Sequence, residues 1–169
     1  MTRYVAFLRA VNVGGTGKLP MAELRAMCGG LGFVNAKTYI ASGNVVFDWD
    51  GDAASAQARL EAALAEYAGK PVGVLIRGAQ EMAQVLADNP FADAPPAQVV
   101  TIFLEGAPPA TTAAEATGVN GELIALGQRE IYVCYVNGQG ASKLKIPAAA
   151  KGTARNLNTV SKMASWLQS

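Results

Sequence analysis

AKTYIASGNVVFD, residues 36–48, reads as two short strands on either side of Ser42 and Gly43, a hairpin with a two-residue turn. Working outward from it sets the fold. Upstream, residues 3–11 form an apolar strand, and Pro20 stands at a first helical position ahead of Met21, Leu24, Met27, Cys28 and Leu31 at helical spacing. Gly29, Gly30 and Gly32 stop that helix. Downstream, residues 53–68 are helical with Leu60, Leu64 and Tyr67 turned inward, and residues 72–77 return as a strand. Residues 79–88 then form a helix with Met82, Val85 and Leu86 as its buried stripe.

The same order recurs. Residues 99–104 are a buried strand, residues 111–117 a short helix, and residues 122–126 and 129–136 a hairpin turning at Gly127 and Gln128. From Pro147 the chain reads as helical, at least from Leu157, with Val160, Met163, Ala164 and Leu167 on one face. The fold expected is therefore α+β: two ferredoxin-like βαββα halves, duplicated, with mostly antiparallel sheets and helices packed on one face. Residues 1–89 make the N-terminal half and residues 90–169 the C-terminal half with its C-terminal helix. One continuous mixed sheet is the alternative.

Composition narrows the chemistry. Of 169 residues, 51% are hydrophobic and 16% charged, too apolar for a disordered chain. Histidine is absent, which excludes histidine catalysis and histidine metal ligation. Two cysteines, Cys28 and Cys134, are too few for a disulfide framework or a thiolate zinc site. Unpaired and set among apolar neighbours, they read as reduced core residues of a cytoplasmic protein. No apolar run approaches the ~18 residues of a membrane span. No cofactor and no metal site are expected.

Charge is unevenly placed. Residues 1–47 hold five basic side chains and one acid; residues 48–130 hold four basic and 12 acidic; residues 131–169 hold five basic and no acid. Basic ends around an acidic middle point to anionic partners. The loops carrying those charges supply the candidate residues. Asn12, Gly14, Gly15, Gly17 and Lys18 lie in a Gly-rich loop between strand and helix, whose backbone N–H groups suit an anion. It is not a P-loop, because Asn12 stands where the first glycine belongs and Leu19 where Ser or Thr would meet magnesium. Arg9 precedes it, and Ser42, Gly43 and Asn44 form a polar turn. A third stretch carries Lys143, Lys145, Arg155, Asn156 and Asn158, with Thr153 or Asn156 capping the last helix and Arg155 in the loop or first turn. Asp48, Asp50 and Asp52 have the spacing that opens a calcium loop, but Arg59 stands where its twelfth-position acid belongs.

Three stretches, LRAVNVGGTGKLPMAEL at 8–24, YIASGNVVF at 39–47 and GTARNLNTVSK at 152–162, together resemble the bacterial family called domain of unknown function 1697 (DUF1697). The sequence departs from that pattern at Ala10, Ala41 and Leu157, where the family usually has glycine, glutamine and tryptophan. The resemblance implies an α+β fold with related halves and a bacterial cytoplasmic protein, and supplies no activity.

The function expected is binding of a phosphate-bearing ligand, a small molecule such as a nucleotide or a nucleic acid, through the Gly-rich and basic loops. Two alternatives differ in class: a non-catalytic protein-interaction domain, and a hydrolase or transferase using metal at residues 48–52. The residues name no reaction and no protein partner, and no membrane contact is expected.

Overall fold

The computed structural model describes residues 1–9 and 18–168. Among them are four α-helices and two four-stranded antiparallel sheets, a mixed α+β architecture in which one strand arrangement occurs twice. By internal contacts the chain divides into two units: unit 1 is Met1–Met82 with Met163–Ser169, and unit 2 is Ala83–Lys162.

In unit 1, β1 (Thr2–Leu8), α1 (Met21–Gly30), β2 (Val34–Tyr39), β3 (Asn44–Trp49), α2 (Ala53–Ala68) and β4 (Val74–Gly78) give a sheet of order β2-β3-β1-β4. This is the ferredoxin-like order, in which each helix crosses over the sheet between strands that are not neighbours. Alternation makes one face: Ala6 and Leu8 of β1, Val45 and Phe47 of β3, and Val74 and Ile76 of β4 pack against Leu24 and Cys28 of α1 and Leu60 and Leu64 of α2. Phe33 stacks on Phe47 with ring centroids 4.2 Å apart and planes 8° from parallel. α2 is bounded by sequence: the Asp52 carboxylate accepts from the Ser55 N–H at 2.8 Å, and its end falls at Gly69. Tyr67, expected inward, is 48% exposed, because the buried stripe of α2 runs through Ala56, Leu60 and Leu64 and ends before the last turn. The opposite face of the sheet receives Trp166: Tyr39 meets it edge-on at 5.7 Å, the Lys37 ammonium lies 3.9 Å from its ring centroid, and the Arg3 guanidinium donates to its carbonyl at 3.4 Å.

The first hairpin differs from expectation. Tyr39 pairs with Asn44, so the loop is four residues, 40–43, not two. The cause is Asn44: fully buried, it donates to the Tyr39 carbonyl at 2.9 Å and to the Ser42 hydroxyl at 3.0 Å, closing the loop from inside. The closure holds Ile40 at φ 50°, a conformation β-branched residues rarely adopt.

In unit 2, β5 (Val99–Phe103), β6 (Leu123–Leu126), β7 (Glu130–Cys134) and β8 (Thr153–Asn156) repeat the order as β6-β7-β5-β8. α3 (Ala79–Asp88) follows β4 as α4 (Leu157–Gln168) follows β8, so the helix after the fourth strand is also repeated. The two crossover helices are not. Residues 111–117 form turns rather than a helix: the Thr112 N–H and hydroxyl both donate to the Pro109 carbonyl. Short, threonine-rich and following two prolines, that stretch cannot repay the cost of nucleating a helix, and its hydroxyls satisfy the backbone locally. Between β7 and β8 stands only the 3-10 turn Pro147–Ala149. Leu144, Ile146, Ala148 and Ala149 instead cover the face formed by Val100, Ile102, Ile131 and Val133.

Two further expectations need correction. The second hairpin turns at Gln128 and Arg129, since the Gly127 N–H bonds the Glu130 carbonyl at 2.8 Å; Gly127 is needed instead because a Cβ there would come within 2.9 Å of the Tyr132 ring. Residues 153–156 form β8, not the start of a helix, because Thr153 and Arg155 pair across the ladder with Phe103 and Thr101 of β5. α4 begins one residue after β8, and the Asn156 side chain caps it by accepting from the Thr159 N–H at 3.0 Å.

Candidate functional site

In unit 1 the chain brings several of the candidate residues to one end of the sheet. The Leu8 N–H donates to the Gly43 carbonyl at 2.8 Å and the Arg9 N–H to the Gly73 carbonyl at 2.8 Å, so the end of β1 lies between the hairpin loop and the entry to β4. Arg9 is exposed, its methylene stem running beside Gly73, where an added Cβ would sit 3.4 Å from the Arg9 Cδ. Lys18 is exposed and is followed by Leu19, which is buried in the core. Ser42 is half-buried, while Gly43 and Asn44 are buried, and the Asn44 amide is engaged in holding the loop. Asn12, Gly14, Gly15 and Gly17 lie outside the described residues.

In unit 2 the candidates separate into two sets. Lys143 and Lys145 are exposed on an extended segment whose alternate residues, Leu144 and Ile146, pack inward. Arg155 is the opposite case: 7% exposed in β8, with its guanidinium donating to the Thr153 hydroxyl at 2.7 Å and to the Ala154 carbonyl at 2.9 Å. Burial pulls its ionisation down to about 10, which leaves it charged at neutral pH. Asn156 is half-buried with its carbonyl oxygen committed to the helix cap, and Asn158 is exposed in the first turn of α4. The sequence reading did not single out Arg77, which occupies in β4 the place Arg155 holds in β8. It is 1% exposed and donates to the carbonyl of the preceding residue, Ile76, at 3.0 Å. The strand orders supply that equivalence; no spacing in the sequence could.

The sequence reading also missed a cavity of about 340 Å³ in unit 2, between residues 118–122 and 137–143. Asn120, Glu122, Asn137, Ser142 and Lys143 supply its polar lining. Glu122 is held by the Ser142 hydroxyl, which donates to it at 2.6 Å, and by the Asn120 N–H; these bonds keep its carboxyl below the usual range. The Asn137 amide donates to the Asn120 carbonyl at 3.0 Å. A legible signal existed: the tripeptide Val-Asn-Gly occurs at 119–121 and again at 136–138, once on each wall.

The inventory for covalent or metal chemistry is small. Cys28 is buried in the core, which pushes its thiol up to about 12, and Cys134 is buried in β7. Asp48 is ion-paired to Arg3 at 2.9 Å, and Asp52 is the cap of α2. Among the described residues no three His, Cys, Asp or Glu side chains gather as a metal site. No described helix is long and apolar enough to cross a membrane.

The family described as "Protein of unknown function (DUF1697)" matches residues 1–132, more than three quarters of the chain. The protein belongs to the DUF1697 family. Among solved structures, this DUF1697 chain is similar to the conserved bacterial protein SP0830 from Streptococcus pneumoniae, at 25% identity and a TM-score of 0.80, covering 98% of each chain. No curated protein matches it. The match runs from the first residue, ahead of β1, through β6 to the middle of β7.

Proposed function

We propose that this DUF1697 protein is a cytoplasmic binding module for a phosphate-bearing ligand, a nucleotide or nucleic acid. The observation that carries the reading is the pair Lys143 and Lys145. They stand on the same side of an extended segment, ~6.6 Å apart at ~3.3 Å per residue, with no acid anywhere in residues 131–169. Neither makes an ion pair among the described residues. Arg9 and Lys18 would supply charge in unit 1, beside the loop whose Gly14, Gly15 and Gly17 would offer backbone donors. Arg155, Asn44 and Asn156 act indirectly in this reading, by fixing β8, the hairpin loop and the start of α4. Buried free cysteines support the cytoplasmic assignment.

The test is a titration of RNA, DNA and nucleotides at two salt concentrations. Each lysine that meets a phosphate adds close to one to the slope of log affinity against log salt, so Lys145→Ala should lower that slope by about one. Absence of binding at low salt, or a slope unchanged in Lys18→Ala and Lys145→Ala, would refute the proposal.

A second reading rests on β6. This four-residue strand lies at the edge of its sheet, carries no charge, and leaves Leu123 51% and Leu126 40% exposed, a surface suited to pairing with a protein strand. A stoichiometric protein partner whose binding ignores salt would favour it over the first.

A further inference from the structure

The two units share a strand order and differ in what joins the strands. In unit 1 the β1–β2 and β3–β4 connections are the helices α1 and α2; in unit 2 the corresponding connections, residues 104–122 and 135–152, hold no α-helix. These two stretches are the ones that wall the 340 Å³ cavity. They are fastened to one another along their length. Thr117 and Lys145 exchange two backbone hydrogen bonds of 2.9 Å, Ser142 donates to Glu122, and Asn137 donates to the Asn120 carbonyl. Gly118 lies so close to the Lys143 carbonyl that no side chain fits between them. Loops this firmly cross-linked hold a fixed shape before any ligand arrives, so binding carries no entropy cost for ordering them.

The lining is electrically mixed. Glu122 brings a carboxylate kept ionised by its donors, and the basic residue Lys143 also lines the cavity; no ion pair joins the two. A simple anion there meets the charge of Glu122, and a simple cation that of Lys143. A molecule carrying both signs satisfies each. The volume is near the lower end for small-molecule sites, which limits the occupant to a small metabolite.

We propose that the cavity between residues 118–122 and 137–143 binds a small zwitterion, its ammonium group on Glu122 and its acidic group on Lys143. This assignment goes beyond the phosphate reading: the two share Lys143, but the zwitterion site also requires Glu122 and makes no use of Arg9, Lys18 or Lys145, so Glu122→Gln tests this site and Lys145→Ala tests the other.

The test titrates the full-length chain with ω-amino acids from glycine to 6-aminohexanoate, following the backbone amides of Asn120, Glu122, Ser142 and Lys143 by NMR. Alkylamines and carboxylic acids of matching length serve as single-charge controls. One length in the series should bind at least tenfold more tightly than either control, and Glu122→Gln or Lys143→Met should reduce it to the control level. Lys143 is exposed, so Lys143→Met leaves the loops intact even if Glu122→Gln loosens them. Failure of every ω-amino acid to move these amides at concentrations well above a millimolar overturns the proposal. Binding of the plain acid as tight as the zwitterion also overturns it, while leaving the salt-dependent binding of nucleotides to be judged separately.

Discussion

Gly118→Ala is the sharpest probe of the loop pair in unit 2. Gly118 sits at φ +70°, and its added Cβ would fall far inside van der Waals contact with the Lys143 backbone oxygen and 2.8 Å from the Lys143 carbonyl carbon. Backbone cannot swing aside as a side-chain tip can, so the 142–145 segment must retreat. The left-handed conformation costs an alanine about 1 kcal/mol. Retreat also breaks the two Thr117–Lys145 backbone hydrogen bonds, at about 1 kcal/mol each, giving a total near 3 kcal/mol. Two neighbours divide that figure. Gly138 has φ +85° with nothing within 4 Å of a Cβ, so Gly138→Ala isolates the conformational cost of about 1 kcal/mol. Gly140 has neither constraint, and Gly140→Ala should fall within about 0.5 kcal/mol of the native protein. Tryptophan fluorescence is the wrong readout, because Trp49 and Trp166 both belong to unit 1. Hydrogen exchange at the Thr117 and Lys145 amides reports the loops directly, and urea unfolding followed by circular dichroism reports the whole. Equal losses for Gly118→Ala and Gly138→Ala would refute the reasoning, since the backbone contact would then contribute nothing.

Three other outcomes follow from the fold. Phe47→Ala removes a fully buried ring stacked on Phe33 and should cost about 3–5 kcal/mol in urea unfolding read by Trp49; a double cycle with Phe33→Leu should show coupling of about 0.5–1.5 kcal/mol, and additive losses would contradict the stacking. Hydrogen bonds from Arg3 and then Asn35 hold the Asp48 carboxyl below its ordinary 3.8. A lowered acid stabilises the fold above its unfolded value and loses that contribution as pH falls through the folded one, so Asp48→Asn should flatten the stability profile below about pH 4 while costing less than about 1 kcal/mol at pH 7, measured by urea titration across pH. Cys28, pushed up to about 12 by burial, should react with a disulfide reagent at pH 8 only at the rate the core opens; immediate labelling of the native protein would place it at the surface.

Local signals in the sequence were enough for two of the helices. Residues 53–68 and 79–88 coincide with α2 and α3, because each has a cap or a turn at its start and an apolar stripe at period 3.6. Where a tertiary contact overrode local chemistry, reading failed. Ser-Gly looked like a tight turn until the buried Asn44 closed a larger loop from inside; Gly127 looked like a turn residue and instead makes room for Tyr132. β8 was illegible because four residues, Thr-Ala-Arg-Asn, show no apolar alternation: its inward positions are Thr153 and Arg155, polar residues that bond to each other. The exposed candidates Arg9, Lys18, Lys143 and Lys145 were legible from charge pattern alone, whereas Glu122 was hidden by the acidic middle of the chain, where a single carboxylate carries no distinguishing mark.

The repeated strand order explains why unit 2 tolerates the loss of its crossover helices. A crossover must cover one sheet face and satisfy its own backbone, and a helix does both within a single element. Residues 142–149 divide the tasks: Leu144, Ile146, Ala148 and Ala149 cover the face, while the Thr117–Lys145 bridge and the 147–149 turn satisfy the backbone. Among the contacts that fix this irregular chain, Gly118 against Lys143 and Ser142 against Glu122 stand at the cavity. Covering the sheet alone would require only the apolar residues of 144–149. A carboxylate set by two donors and walls set by a glycine contact add nothing to that cover, which is the physical reason to look for a ligand there rather than along the helices of unit 1.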